Sequence, residues 1–373
     1  MEGTRFSDAL VVGAGPAGLG ASIGLARKGV GVTILEQNED LGSVRRGETI
    51  RANRPMEEIL GEGFFDRIER HRIDRRRYYS HSGRRFVDRS ISNPNIIFDW
   101  PDLIEVMAEA AEFSGVRMRT GTHVLRLLES EGRVKGVAAR QGASVEELDA
   151  LTVISCGGCD DPASMHIGID RSHIDMPVAK MLVRGYAGPE GRLEYHFHNG
   201  HGGLVVGAVF PRGNGEAEFI LLNTPGSCET LSFEEFSRVH PLFGERMGDA
   251  EAFYMLETKI PMGGMIYPFA PRQGLVMAGD ALGHVQGRGG SGIRTSFLIG
   301  YAAGTLAAEV LHSGGWTREN TMRFEKAMQN HPHVRSLRWH NRIFTNLRSR
   351  MFAAVRTPEK MDRLWPLLKV ALR

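Results

Sequence analysis

The sequence predicts an α/β protein in which a parallel sheet is broken by an inserted antiparallel sheet and followed by a helical C-terminal segment. Three observations predict it. Residues 9–36 read as strand, glycine turn, helix and strand; Gly274-Leu275-Val276-Met277-Ala278-Gly279-Asp280 is a second buried strand ending in a turn; and Val178 to Leu222 carries longer alternating strands punctuated by Gly and Pro. Continuous apolar runs suit parallel strands covered on both faces, and alternation suits antiparallel ones.

The first unit is a Rossmann-like βαβ. Ala9-Leu10-Val11-Val12 is the strand, Gly13-Ala14-Gly15-Pro16-Ala17-Gly18 the turn, and Leu19 to Lys28 the helix, which Gly29 stops. Val30 to Leu35 then delivers Glu36. Gly13 permits the tight exit from the strand, Gly15 lets the backbone approach a pyrophosphate, and Gly18 lets helix and sheet close up. The N–H groups and positive dipole end of the helix attract the phosphates. Glu36 is placed to accept from both ribose hydroxyls and argues against a 2′-phosphate, so the nucleotide is ADP-like: NAD or the ADP half of FAD.

The other elements follow in order. Asp40 to Ile50 is a polar loop whose Arg45 and Arg46 lie beside the phosphate turn; a bidentate pyrophosphate contact and a solvated charge run are the two readings. Residues 57–70 read as helix. Arg72 to Arg77 is basic and runs into Tyr78-Tyr79, either meeting an anionic headgroup or acidic partner or forming a solvated strand end. Pro101 opens a helix with Leu103, Ile104, Met107, Ala108 and Ala111 on one face. Strands near Val116 to Met118 and Thr122 to Leu128 precede a hairpin through Glu131-Gly132-Arg133, and Leu151 to Ser155 is another buried strand. Asp280 ends its strand where parallel sheets bind ligands. Gly287-Arg288-Gly289-Gly290-Ser291-Gly292-Ile293 then starts a small-residue helix through Ala308, whose N–H groups suit the charge that appears at the pyrimidine edge of an isoalloxazine on reduction. Asn330 to Arg373 is basic and amphipathic, and either packs on its own sheet or lies on an anionic membrane.

Composition narrows the function. Forty-six Lys+Arg against 44 Asp+Glu give a net charge of +2, which is no nucleic-acid footprint. Cys156, Cys159 and Cys228 make no disulfide framework. No apolar run reaches the roughly 18 residues of a bilayer span, and a strand stands where a signal peptide would begin. The expected location is cytoplasmic, with peripheral membrane contact as the alternative.

These pieces together resemble the geranylgeranyl reductase family of FAD-dependent oxidoreductases, within the para-hydroxybenzoate hydroxylase fold. The resemblance rests on Gly13 to Gly18 with Glu36, on Gly42-Ser43-Val44-Arg45-Arg46-Gly47-Glu48-Thr49-Ile50, on Gly279-Asp280-Ala281-Leu282-Gly283 through Gly290-Ser291-Gly292-Ile293, and on Val209-Phe210-Pro211-Arg212-Gly213-Asn214-Gly215. It implies a discontinuous FAD-binding domain (1–80, 98–175 and 266–312), a substrate-binding antiparallel sheet (81–97 and 176–265) and a C-terminal helical segment (313–373). By position it implies FAD contacts at Ala14, Ala17, Glu36, Arg46, Gly47, Thr49, Val124, Asp280, Gly292 and Ile293, beside the turn glycines Gly13, Gly15, Gly18 and Gly279. The sequence departs from the family pattern in several places. Gly157 stands where the family's DG motif has aspartate, Asp161 where it has serine, and Trp100 where an FAD-contacting arginine is usual. Gly207 and Ala208 stand where the family's aromatic residues line its substrate channel.

The implied activity is hydride transfer from reduced FAD to a C=C bond of a hydrophobic, prenyl-type substrate, with electrons from NAD(P)H, reduced deazaflavin or ferredoxin. A proton must reach the second carbon, and His284 is the candidate donor, a satisfied structural histidine being the alternative. The same fold hosts a second reading, FAD-dependent monooxygenase (hydroxylase) or halogenase. A third is an electron-transfer flavoprotein docking an acidic carrier on Arg72 to Arg77. Cys156 and Cys159 have redox-pair spacing, or are small residues in a tight turn. His196 and His198 share a strand face with His201 beyond a turn, but no carboxylate cluster lies near, and no metal is expected.

Overall fold

In the computed structural model residues 7–200, 203–223, 231–287, 290–353 and 357–371 are described. Ser7–Val12 lies at the centre of the first sheet, parallel to Val32–Leu35 on one side and to the second half of Ser144–Ser155 on the other. Arg117–Arg119 extends the parallel layer at one edge and Leu275–Met277 at the other. The first half of Ser144–Ser155 turns away to pair antiparallel with Arg133–Gln141, which pairs with Thr122–Ser130. Glu131 and Gly132, both at positive φ, form the turn of that hairpin, as a type I′ two-residue loop requires.

Helix Pro16–Ala26 is buried from Ala17 to Leu25 because it is covered twice, by the sheet and by Ile293–His312. Trp100–Phe113 packs beside it, with Leu103, Ile104, Met107, Ala108 and Ala111 inward as the pattern indicates.

The second sheet has eight strands in the order Glu251–Pro261, Asp175–Arg184, Glu216–Asn223, Gly203–Gly213, Leu193–Gly200, His71–Tyr79, Phe86–Ile97 and Thr49–Arg51. It is antiparallel except where Leu193–Gly200 meets His71–Tyr79. Helices Phe233–Val239 and Pro241–Met247 seal one face through Phe236 and Phe243 on Val205, Val209, Phe219 and Leu221. The opposite face carries Tyr195, Phe197, Ala208, Phe210, Ile220 and Leu222, and Lys180 on the same face meets the loop at Arg46 and Glu48. Helix Pro358–Ala371 covers its far end with Met361 and Trp365.

Two readings of the sequence change. The helix expected over 57–70 is two, Arg54–Leu60 and Phe64–Ile68, because Gly61 and Gly63 take positive φ between them. Thr49–Arg51 and His71–Tyr79, placed by sequence in the segment 1–80, join the second sheet because Phe86–Ile97 pairs with both. The C-terminal segment is helical as the sequence indicates, in three helices, Arg318–Asn330, Pro332–Ala353 and Pro358–Ala371, and the last packs on the sheet. Arg288, Gly289, His201 and Cys228 lie outside the described residues.

Candidate functional site

The two glycine turns meet because their helices touch backbone to backbone. A Cβ on Gly20 would lie 2.3 Å from Phe297 O and one on Gly24 2.4 Å from Tyr301 O; in return Gly300 and Gly304 would reach Ala17 O at 2.2 Å and Ala21 O at 2.0 Å. The residue order shows that the helices run parallel and in register, so both N-termini open at one end. Gly279, at φ 74°, completes the junction: its Cβ would sit 2.6 Å from Ala17 Cβ.

Within the first turn the glycines have separate reasons. Gly13 is left-handed, and Gly18 carries no Cβ because one would fall 1.9 Å from Gly13 O. Gly15 has φ −75°, open to any residue, and a Cβ there would meet nothing within 4 Å. The fold leaves that space empty at a helix N-terminus with no side-chain cap and no acid in its first turn, which is a cradle for phosphate. Glu36 is held at its lip, Oε2 accepting from Ala14 N at 2.8 Å and Oε1 from Asn38 N and Nδ2 at 2.9 and 2.7 Å.

At the second turn, Ser296 Oγ lies 3.5 Å from Asp280 Oδ1. Arg171 donates to the carbonyls of Asp280 and Ala281 at 2.9 and 2.5 Å and is itself clamped by Asp175. Burial raises the Asp280 pKa, and Arg46 and Arg171 oppose the rise. Gly292 precedes the helix without capping it, Ile293 lies 4.0 Å from the Cβ position of Gly47, and Thr49 Oγ1 is buried without a partner. The cradle, the lip carboxylate, the orphan hydroxyl and the second uncapped helix end fit a dinucleotide that reaches from one turn to the other.

The loop arginines divide. Arg46 Nη1 donates to Thr258 Oγ1 at 2.5 Å, toward the second sheet, while Arg45 is consumed by Glu48 and Asp99. The side chain of Val124 is sealed in the core at 3% exposure, which leaves only its main chain to face a ligand. His284 is fully buried, its Nδ1 accepts from Gly279 N at 2.9 Å, and burial pushes its pKa down to about 3, so its ring is neutral near pH 7 with the remaining proton on Nε2, an arrangement that favours the structural alternative over the proton donor. Cys156 and Cys159 are free and buried; burial raises both thiols, Cys159 to about 12, so neither is a thiolate near neutrality. Asp161 supplies the carboxylate that position 157 lacks. A Cβ on Gly157 would lie 2.8 Å from Asp161 Oδ1, which accepts from Gly157 N and Ser155 Oγ, while Oδ2 accepts from Ser164. His196 and His198 share a face as expected, packed against Tyr79, His81 and His240, and no metal-binding group of three forms among the described residues.

Two features of the site escape sequence reading. On the open face of the second sheet Tyr78, Val178, Tyr195, Ile220 and Leu222 are half-buried, forming an apolar groove with Tyr78 stacked on Tyr195 at 5.0 Å. Beside it runs a buried ionic network. Lys180 Nζ lies 2.9 Å from Glu218, 3.6 Å from Glu48 and 2.8 Å from Arg46 O, and Arg212 joins Glu48 to Asp99. A lone charge inside an apolar strand signals a buried pair, but not its partner.

The chain matches the model of the FAD binding domain family over residues 7–321. It is 27% identical over 333 residues to a digeranylgeranylglycerophospholipid reductase of Methanothrix thermoacetophila, covering 86% of this chain and 82% of that one. Among solved structures, a geranylgeranyl bacteriochlorophyll reductase-like protein from Thermoplasma acidophilum superposes with a TM-score of 0.82 at 18% identity, covering 97% of this chain and 91% of that one. The myxobacterial chondrochloren halogenase, a more distant likeness, gives 0.68 at 14% identity over 87% and 79%. These two show the fold. With the family match spanning both glycine turns, the chain belongs to the FAD binding domain family and is an FAD-dependent oxidoreductase.

Proposed function

We propose that this oxidoreductase saturates carbon–carbon double bonds in a prenyl lipid. The observation that carries the reading is the apolar groove along the half-buried sheet face of Tyr78, Tyr195, Ile220 and Leu222; the name of the reductase to which the chain is similar supports it. Bound FAD would supply a hydride to one alkene carbon, and a proton from water or a side chain at the site would complete the reduction at the other.

The chain's own residues do the rest. Gly13, Ala14, Gly15, Ala17 and Gly18 would hold the pyrophosphate and Glu36 the ribose, while Gly47, Thr49, Gly279, Asp280, Gly292 and Ile293 would hold the flavin end, with Arg46 between it and the sheet. An isolated alkene offers no carbonyl to polarise, so the groove contributes by fixing the chain against the flavin and excluding water. Helix Pro358–Ala371 closes one end of it. No described helix is long and apolar enough to cross a membrane; Arg335, Arg338, Trp339, Arg342 and Ile343 all face outward on Pro332–Ala353, a surface suited to meeting lipid at an anionic bilayer. Electrons would enter from NAD(P)H, a reduced deazaflavin or ferredoxin.

The test is anaerobic. The flavoprotein is photoreduced, mixed with a geranylgeranyl lipid, and followed at the oxidised-flavin band with mass analysis of the lipid. Reoxidation whose rate rises with lipid, and a product heavier by one hydrogen pair per double bond, is expected. Flavin that stays reduced with the lipid yet oxygenates it when air is admitted overturns the reading in favour of a monooxygenase.

A further inference from the structure

One end of the groove is basic and short of acceptors. Arg76 on His71–Tyr79 and Arg89 on Phe86–Ile97 are direct cross-strand partners, and Arg51 pairs in register with Asn95. Arg76 is two residues from Tyr78, which stacks on Tyr195, so these side chains share the groove face. Burial, then the neighbouring Arg76 and Arg294, hold the Arg51 pKa below its ordinary value. Arg294 belongs to the first turn of Ile293–His312 and is exposed at the rim.

Among the described residues no carboxylate balances this charge. Like charges directly opposed on one sheet face repel, and among the described residues none of the four arginines has a carboxylate partner. The donors are also unspent. Asn95 is 3% exposed; its Oδ1 accepts from Arg76 Nη2 at 2.8 Å, and its Nδ2 has no acceptor. Arg76 Nε and Arg89 Nε are buried without one as well. Buried donors without acceptors are costly and rare, and guanidinium forks with an amide match the oxygens of a phosphate.

We propose that Arg51, Arg76, Arg89 and Asn95, with Arg294 at the rim, bind the phosphate headgroup of an anionic prenyl lipid whose chain runs along Tyr78, Tyr195 and Leu222. This rests on the prenyl-lipid reading above and adds the polarity of the substrate and the end of the groove at which it anchors. Arg51, Arg76, Arg89 and Asn95 lie on strands of the second sheet, whereas the cradle at Gly15 follows a strand of the first. The phosphate supplies the missing acceptors and relieves the Arg76–Arg89 repulsion, whereas a neutral prenyl alcohol does neither.

The experiment titrates oxidised holoenzyme with geranylgeranyl phosphate, geranylgeraniol and inorganic pyrophosphate, in the wild type, Arg76→Ala, Arg76→Lys and Arg51→Ala, with the flavin-to-protein ratio measured for each. The phosphate is expected to bind about tenfold or more tightly than the alcohol, with a gap that closes in both alanine variants and partly returns in Arg76→Lys. Equal binding of phosphate and alcohol, or a gap that the variants leave intact, overturns the headgroup site while the groove stands. Flavin loss in the variants overturns it by assigning the arginines to the cofactor. Pyrophosphate that displaces the lipid at equal concentration overturns it in favour of free phosphate. Failure of both chains to bind the wild type removes the prenyl reading itself.

Discussion

Gly15 and Gly18 stand three residues apart and answer to different constraints. Gly18 has backbone against it, so Gly18→Ala should destabilise the apoprotein by about 2 kcal/mol or more, with Gly13 O displaced. Gly15 has open space and an ordinary φ, so Gly15→Ala should leave apoprotein stability within roughly 0.5 kcal/mol while weakening FAD binding about tenfold, because its methyl occupies the phosphate's place. Urea melts and flavin titrations separate the two; equal stability losses would mean that Gly15 serves the fold instead. His284 makes a second prediction. Its folded pKa of about 3 lies below the ordinary 6.5, so the unfolded chain takes up its proton first. Its contribution is therefore fully present above pH 6.5 and is lost as pH falls toward 3, at up to about 1.4 kcal/mol per unit. The stability gap between the wild type and His284→Gln should shrink as pH drops from 7.5 to 5, and a gap constant with pH would show that His284 is not buried neutral.

The paired helices Pro16–Ala26 and Ile293–His312 turn two local motifs into one site. Gly300→Ala or Gly304→Ala should push the helices apart, costing roughly 1–3 kcal/mol and lowering flavin occupancy together with the melting temperature. Retained flavin despite a lowered melting temperature would show that the spacing of the N-termini is not what positions the cofactor. How far each feature was legible follows from how local its cause is. Gly18 answers to Gly13 O within its own turn, and Gly13 and Gly279 take positive φ, a property of the turn itself, so the turns could be read from their spacing. The sheet joined by His71–Tyr79 could not, since its inside–outside alternation is the same whichever sheet accepts it. The split between Arg45 and Arg46 depends on Asp99 and Thr258, far along the chain. His284 has a sequence setting that suits a proton donor, and only its depth of burial, set by remote residues, changes the role. Arg76 was visible as one of a basic run; the absence of a carboxylate near it was not.

At the scale of the whole molecule, Lys180, Glu218, Glu48 and Arg212 bind the loop of the first glycine unit to the second sheet, all at 4% exposure or less. Removing one member of a buried pair leaves a charge stranded, at about 3–5 kcal/mol, whereas replacing both with apolar groups is often neutral. Glu218 already has a raised pKa from burial, which Lys180 opposes. In Lys180→Met that opposition is lost, Glu218 folds protonated, and stability is fully present below the unfolded carboxyl pKa near 4.5 but falls as pH rises. Lys180→Met should therefore be least stable in alkaline buffer, and Lys180→Met with Glu218→Leu should recover most of the loss, because Glu48 keeps Arg45 and Arg212 and the remaining charges still balance. Melting temperatures of the single and double variants from pH 5 to 9 decide it. A double variant as unstable as the single would place the stabilisation on the tie from Lys180 to Glu48 and Arg46 O, and the flavin loop would then depend on that one ammonium for its position beneath the groove.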